Sequence, residues 1–464
     1  MQPSWQLALV FGLAVSPAGC LSAKEACTRH GDCPAGAACV NGRCVDDGDT
    51  ATTSDTDADD TGPVDTVSAV DTTSAFDTAP PPCTLAGALR PCQGNCPDLA
   101  FPVQRCVDGA WSACGCAASE RYHIATRGKM KHAGLAGTPN GALYACYELD
   151  GQLALAYQFA PTPPDNWDVQ LLGVDADACD LATGFGETVH LVYGAGEGDD
   201  TPRDLVYAAI ADNVVGPPAT PGTDGDGDDG RQPKVAVAKN GAVHVLAGGR
   251  LAGGQDVLRH FEQTGLATWS DDLVASLPTA SDDQALALCD DGTQLALYAN
   301  GVGSPHWTAR VAARGEGTWQ TALLDDSAQL VGIGAAIVCD GGAAHGLFLD
   351  FSNYVLREAW SPTPNALATW ESAAVPLDDR AVLYFNDLVV AGEHLWAAVS
   401  SQEGDVLLGA RPRDRSTPWR FYRVATSDAQ LTGDVRLWLD ALGHPHVLYF
   451  GAQDTGPWIL TLGE

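Results

Sequence analysis

The stretch NGAVHVLAG, Asn240–Gly248, sets a histidine between two valines directly after a tight-turn dipeptide. Its alternation is that of a half-buried strand, and Asn-Gly is a hairpin signal. His244 is therefore either a ligand in a site or one mark of a unit that recurs. The rest of the chain repeats the pattern. A turn glycine between two apolar strands stands at Gly141, Gly186, Gly241, Gly292, Gly342, Gly392 and Gly443, at spacings of 45, 55, 51, 50, 50 and 51 residues. Several close a turn pair: Asn140-Gly141, Asn240-Gly241, Asp291-Gly292 and Gly341-Gly342. Trp167, Trp269, Trp319, Trp370 and Trp419 each follow their glycine by 26 to 28 residues. Two independent markers in one phase define a repeat.

Each unit reads as four strands, in the third roughly PKVAVAKN, AVHVLAG, VLRHFEQ and ATWSDDLVA. Four short strands in each of seven units predict an all-β fold, a seven-bladed β-propeller over residues 117–464. A β-helix has shorter coils, and an α-solenoid needs a helical periodicity that is absent. The last unit stops short of its tryptophan. RYHIAT, Arg121–Thr126, parallels FYRVAT, Phe421–Thr426, and is expected to supply the missing fourth strand, closing the ring and removing two open edges. The slot of His244 holds His190, His345, His394 and His446 in other units, and Tyr144 and Leu295 in the remaining two. A residue replaceable by Tyr or Leu is expected to pack or hydrogen-bond between blades rather than to ligate.

The chain carries 59 acidic and 25 basic residues, net −34, which disfavours nucleic acid and anionic membrane surfaces as partners. At the N-terminus, WQLALVFGLAV (Trp5–Val15) is an apolar run too short to span a bilayer comfortably. SPAGC follows, ending at Cys20. Ala-Gly-Cys resembles the cleavage and lipidation site of bacterial lipoproteins. The resemblance implies a signal peptide over 1–19, lipid attachment at Cys20, and an outer-membrane or cell-surface location. Lipidation of Cys20 leaves 14 of the 15 cysteines, an even number for pairing. Cleavage after Ala18, giving a soluble secreted protein, and an uncleaved anchor are the alternatives. Either route of export places the chain in an oxidising compartment.

Cys27, Cys33, Cys39 and Cys44 fall within eighteen residues, so residues 20–45 read as a small module held by two disulfides, with zinc as the rival. Residues 46–82 hold ten Asp, nine Thr and no Lys or Arg. That composition predicts a solvated, self-repelling linker. Cys83, Cys92, Cys96, Cys106, Cys114 and Cys116 make residues 83–116 a second disulfide module, with fifteen pairings open. Both modules resemble short cysteine-rich units of bacterial surface lipoproteins. Cys146 with Cys179, and Cys289 with Cys339, sit on neighbouring units. Each pair is either bridged or left as buried thiols, equivalent inner strands being expected to stand far apart.

The repeat resembles sialidase-like propellers, whose blades also show a strand, a glycine turn, a second strand and a late tryptophan. Their Asp-box turn, Ser-x-Asp-x-Gly-x-x-Trp, is absent, and their arginines and nucleophilic tyrosine find no matching positions, so sialidase activity is not implied. There is no GxSxG, HExxH or phosphate loop in the sequence. The acidic pairs Asp282-Asp283 and Asp378-Asp379 suit solvated loops better than a glycosidase acid and base. In TDGDGDDG (Thr223–Gly230), Asp224, Asp226 and Asp228 alternate as in the first half of a calcium loop, although Asp229 stands in place of the usual glycine and Val235 in place of the closing glutamate.

These features predict a non-catalytic, monomeric binding or adhesion lipoprotein with no cofactor beyond a possible calcium ion. A carbohydrate-active propeller enzyme and a scaffold of an envelope complex are the alternatives. The membrane is met only through the lipid. The 2–3 and 4–1 loops, such as AGEGDDTPRD (195–204), ANGVGSPHW (299–307) and GPPATPGTDGDGDDGRQP (216–233), are longer than the 1–2 turns and share one face. A protein or neutral glycan is expected there. Residues 120–464 carry 45 acidic and 20 basic side chains, net −25, which disfavours a polyanion.

Overall fold

The computed structural model describes residues 82–463 except 160–164, 185, 197–202, 223–228, 252, 266, 280–282, 302–305, 328, 378–379, 427–433 and 452–455, together with one upstream hairpin. That hairpin pairs Ala37–Val40 with Arg43–Asp46 and sets the backbones of Cys39 and Cys44 opposite each other. Cys20, Cys27, Cys33, Asp199, Asp200, Asp224, Asp226, Asp228, Asp282, Asp378 and Asp379 lie outside the described residues.

From residue 82 onward the fold is all-β, its only described helix a 3-10 turn at Leu367–Thr369. None of the described helices is long and apolar enough to cross a membrane. Strands meander in antiparallel order. Four successive sheets hold four strands each, from Arg231–Val237 to Arg420–Thr426, flanked by sheets of eight and seven strands. This is the architecture of a β-propeller. Repeat 3 has strands Arg231–Val237, Val243–Arg250, Asp256–Gly265 and Thr268–Leu277. Apolar side chains fill the space between neighbouring sheets: Leu205 and Tyr207 of repeat 2 pack with Val235, Val245 and Phe261 of repeat 3.

All seven marker glycines have positive φ, a region where a Cβ is strained. The turns differ from the expected hairpin pairs, because Asn140, Asn240 and Asp291 are not left-handed. A turn closed by Gly141 N–H to Thr138 O (2.9 Å) comes first, and the glycine then takes the left-handed position. Asn or Asp is required for its side chain: Asn240 Oδ1 accepts from Ala242 N–H at 3.0 Å, and Asp291 Oδ1 from Thr293 N–H at 2.9 Å.

The two other markers touch through a third residue. His190 Nδ1 lies 2.8 Å from the Tyr207 hydroxyl, and the Tyr207 ring stands edge-on to Trp269 of the next repeat, centroids 5.1 Å apart. His244 lies 3.1 Å from His260, whose ring meets Trp319 of the next repeat at 5.4 Å. The histidine contact is thus made within its own sheet, contrary to the expected contact between blades. The third-strand ring carries it across to the neighbour. Burial pushes His190 down to about 4 and His260 to about 3, so both are neutral inside the fold.

The six-cysteine region pairs Cys83–Cys106, Cys92–Cys114 and Cys96–Cys116. One strand, Gly115–His123, runs out of it into the propeller. Its first half pairs with Ala100–Val103, and its second half, Ser119–His123, with Trp458–Leu462 of the last repeat. The two regions also share a core. Phe101 is 1% exposed, stacked on Trp396 at 5.2 Å and edge-on to Tyr422. Gly443 has no room for a side chain, since a Cβ would lie 2.7 Å from Leu89 O.

Candidate functional site

First strands of consecutive repeats lie against one another, and distinct bonds tie neighbouring repeats together. Asp180 Oδ2 of repeat 2 accepts from Val235 N–H of repeat 3 at 2.9 Å. Gln284 Nε2 of repeat 4 donates back to Arg231 O (2.9 Å) and Gln232 O (2.8 Å). Asn386 Nδ2 of repeat 6 donates to Gly334 O of repeat 5. Asp387 Oδ2 accepts from Leu437 N–H at 2.8 Å, and Asp434 Oδ2 from Ala133 N–H at 3.1 Å. Disulfide Cys289–Cys339 ties repeats 4 and 5, and Cys146–Cys179 ties the second strand of repeat 1 to the first strand of repeat 2. The expected separation of equivalent strands does not hold for Cys289 and Cys339, whose Cα atoms lie 5.1 Å apart. First strands converge toward the axis, bringing their ends within bridging distance.

These strands enclose a cavity of about 200 Å³, lined by Asp180, Lys234, Asp387 and Arg436 among apolar residues. It leads to a narrower mouth where His132, Lys234, Asp283, Gln284, Asn386 and Asp434 meet, at the strand ends fed by the 4–1 loops. Asp283, one half of an acidic pair in the sequence, is therefore at the mouth. Arg436 Nε donates to Ala133 O at 2.7 Å, and its Nη2 pairs with Asp434. His132 Nδ1 lies 3.8 Å from Asp434.

Burial dominates the electrostatics. It raises the Asp387 and Asp434 carboxyls above their ordinary range, against the pull of Arg436 and Lys234. Burial also lowers the Lys234 ammonium, the Arg436 charge adding to it while Asp180, Asp434 and Asp387 oppose. Burial alone would lower Arg436; Asp434 and Asp387 outweigh it and hold the guanidinium up.

At the mouth Lys234 Nζ, Gln284 Oε1 and Asn386 Oδ1 are buried with no protein hydrogen-bond partner among the described residues. Each amide has its nitrogen fixed to a neighbouring strand, so its oxygen is the group left over. Gln284 and Asn386 line only the mouth, a space of about 10 Å³ that holds little more than a water, whereas Lys234 also lines the cavity behind it. Lys234, Gln284 and Asn386 belong to no motif and carry no signal in the sequence. Among the described residues no group of His, Cys, Asp and Glu is suited to a metal ion.

No protein-family model matches this sequence, and no curated protein does. Among solved structures the chain is similar to the BP39L lectin from Burkholderia pseudomallei, at 13% identity and a TM-score of 0.50, over 71% of this chain and 98% of that one. It is also similar to the Penicillium chrysogenum α-L-arabinanase complexed with arabinobiose (11%, TM-score 0.46, 75% and 98%). A third is the Hadza microbial sialidase Hz136 (13%, TM-score 0.45, 70% and 74%). At 13% identity the likeness to the lectin speaks for the fold alone.

Proposed function

We propose that this chain is a surface lipoprotein, anchored at Cys20, whose propeller binds a glycan end without transforming it. In this reading the propeller has seven blades and Ser119–His123 is the closing strand of the last. The pairing of that strand with Trp458–Leu462 and the bond from Ala133 N–H to Asp434 support a closed ring. The observation that carries the function is the free donor and two free acceptors at the axial mouth, beside carboxylates already engaged by backbone N–H groups. Such groups suit sugar hydroxyls. Long 2–3 and 4–1 loops on the same face would supply the rest of the contact surface.

A glycan array with the full chain, followed by calorimetry, tests this reading. Lys234→Met and Gln284→Leu should each weaken binding about tenfold. Affinity unchanged in both variants would place the ligand elsewhere. Mass spectrometry of the mature N-terminus tests the anchor: an unmodified Gly19 start overturns it.

One observation favours a carbohydrate-active enzyme instead: Asp387 in the cavity and Asp434 beside His132 at its mouth both have their carboxyls raised by burial. Turnover of any bound glycan, abolished by Asp434→Asn, would establish that reading.

A further inference from the structure

We propose a second ligand site, for an anionic saccharide, in the groove where repeats 5 and 6 meet the six-cysteine region. It lies off the axis and does not rest on the axial reading. Five of the chain's 25 basic residues fall in RPRDRSTPWRFYR, Arg411–Arg423. Four have partners. Arg411 pairs with Glu358 and lies over Trp419, Arg413 approaches Asp340 at 3.7 Å, Arg415 lies over Trp360, and Arg423 pairs with Asp98. Among the described residues Arg420 is exposed with no partner, and the half-buried Arg380 guanidinium likewise has none.

Both arginines line one groove of about 390 Å³, within the usual range for ligand pockets. Among the described residues no carboxylate lines it, in a chain with more than twice as many acidic as basic residues. Its remaining walls are Pro376, Pro418 and Phe421, with Asn95 contributed by the six-cysteine region. Phe421 is stacked on the buried Trp419 at 5.6 Å, and Tyr422 is fixed by its hydroxyl donating to Gly94 O at 2.8 Å. Flat apolar walls suit the C–H face of a sugar ring, and Asn95 suits a hydroxyl. A guanidinium fork matches the paired oxygens of a carboxylate or sulfate. The overall negative charge repels anions at long range, so the two arginines supply a local, specific attraction.

The test is calorimetry on the full chain with trigalacturonate, a sulfated trisaccharide, neutral maltotriose and tetraglutamate. One of the two anionic saccharides should bind, and which one tells carboxylate from sulfate recognition. Arg420→Gln and Arg380→Gln should each weaken that binding about tenfold. The already paired Arg413→Gln should change it less than about twofold. Lys234→Met, at the axial mouth, should leave it unaltered, so failure here is distinct from failure of the axial site. The proposal is overturned if neither anionic saccharide binds better than maltotriose, if the double arginine variant binds as well as the native chain, or if tetraglutamate binds equally tightly.

Discussion

Two kinds of junction hold neighbouring repeats together, and they respond to different insults. Between repeats 4 and 5 the tie is covalent, Cys289–Cys339. Between repeats 7 and 1 it is a buried carboxylate, Asp434, bonded to Ala133 N–H and to Arg436. The disulfide acts mainly by restricting the unfolded chain and is indifferent to mild pH change. The carboxylate must be desolvated first, and it stabilises only while every partner is in place. The same job is thus done by a bond sensitive to reductant and by one sensitive to the loss of any single partner.

The sharpest way to break this contrast is at the carboxylate. Asp434→Ala removes the nearest carboxylate from the buried Arg436 guanidinium and leaves the Ala133 N–H unpaired, and should cost about 3–5 kcal/mol in urea unfolding. Asp434→Asn, which still accepts from Ala133, should cost less. Equal losses would mean that charge, not the hydrogen bond, holds the junction. At the covalent junction, Cys289→Ser with Cys339→Ser should cost about 2–4 kcal/mol, and the variant should melt alike with and without reductant apart from the other disulfides' contribution.

A third test separates both junctions from the histidine-to-tryptophan contacts farther out. His260 titrates at about 3 in the fold and near 6.5 in an unfolded chain. Between those values the unfolded state binds more protons, so this contribution is whole above about pH 6.5 and lost as pH falls toward 3. The loss should reach about 2 kcal/mol at pH 5. His260→Phe should flatten the difference in melting temperature between pH 7 and pH 5, and an undiminished slope would exclude this residue as its source. The smallest effect is expected of calcium at Asp224, Asp226 and Asp228. Fivefold above its dissociation constant it should add about 1 kcal/mol, lost in Asp226→Ala. Identical melts with calcium and with chelator would dismiss it.

The sequence disclosed what repeats and concealed what does not. Gly141 and its equivalents were visible because positive φ selects glycine seven times over, and Trp269 and Trp319 because each fills the same gap between sheets. Of RYHIAT, picked out by its likeness to FYRVAT, only Arg121–His123 falls in the strand that pairs with the last repeat, and that strand begins earlier than expected. Its origin inside the six-cysteine region was not visible, because no residue marks where one folding unit passes into the next. The axial groups were equally hidden. Asp180, Asp387 and Asp434 stand among 59 acidic residues, and only their bonds to a backbone N–H of the next repeat's first-strand region distinguish them. Arg420 differs from its four neighbours solely in what it fails to touch, which is a property of packing.

Strand Gly115–His123 has a mechanical consequence. It is cross-linked at its start, where Cys114 and Cys116 are bridged to Cys92 and Cys96. Its far half is paired residue for residue, from Ser119 to His123, with the final strand. Tension applied from the N-terminal side meets the Cys83–Cys106 cross-link together with the hydrogen bond from Cys83 N–H to Gly109 O, and then runs on to the closing pairs. There it pulls along the strand, so the five pairings from Ser119 to His123 are strained together in shear rather than peeled one at a time. A ligand held at the opposite face would stretch the protein along its most resistant direction.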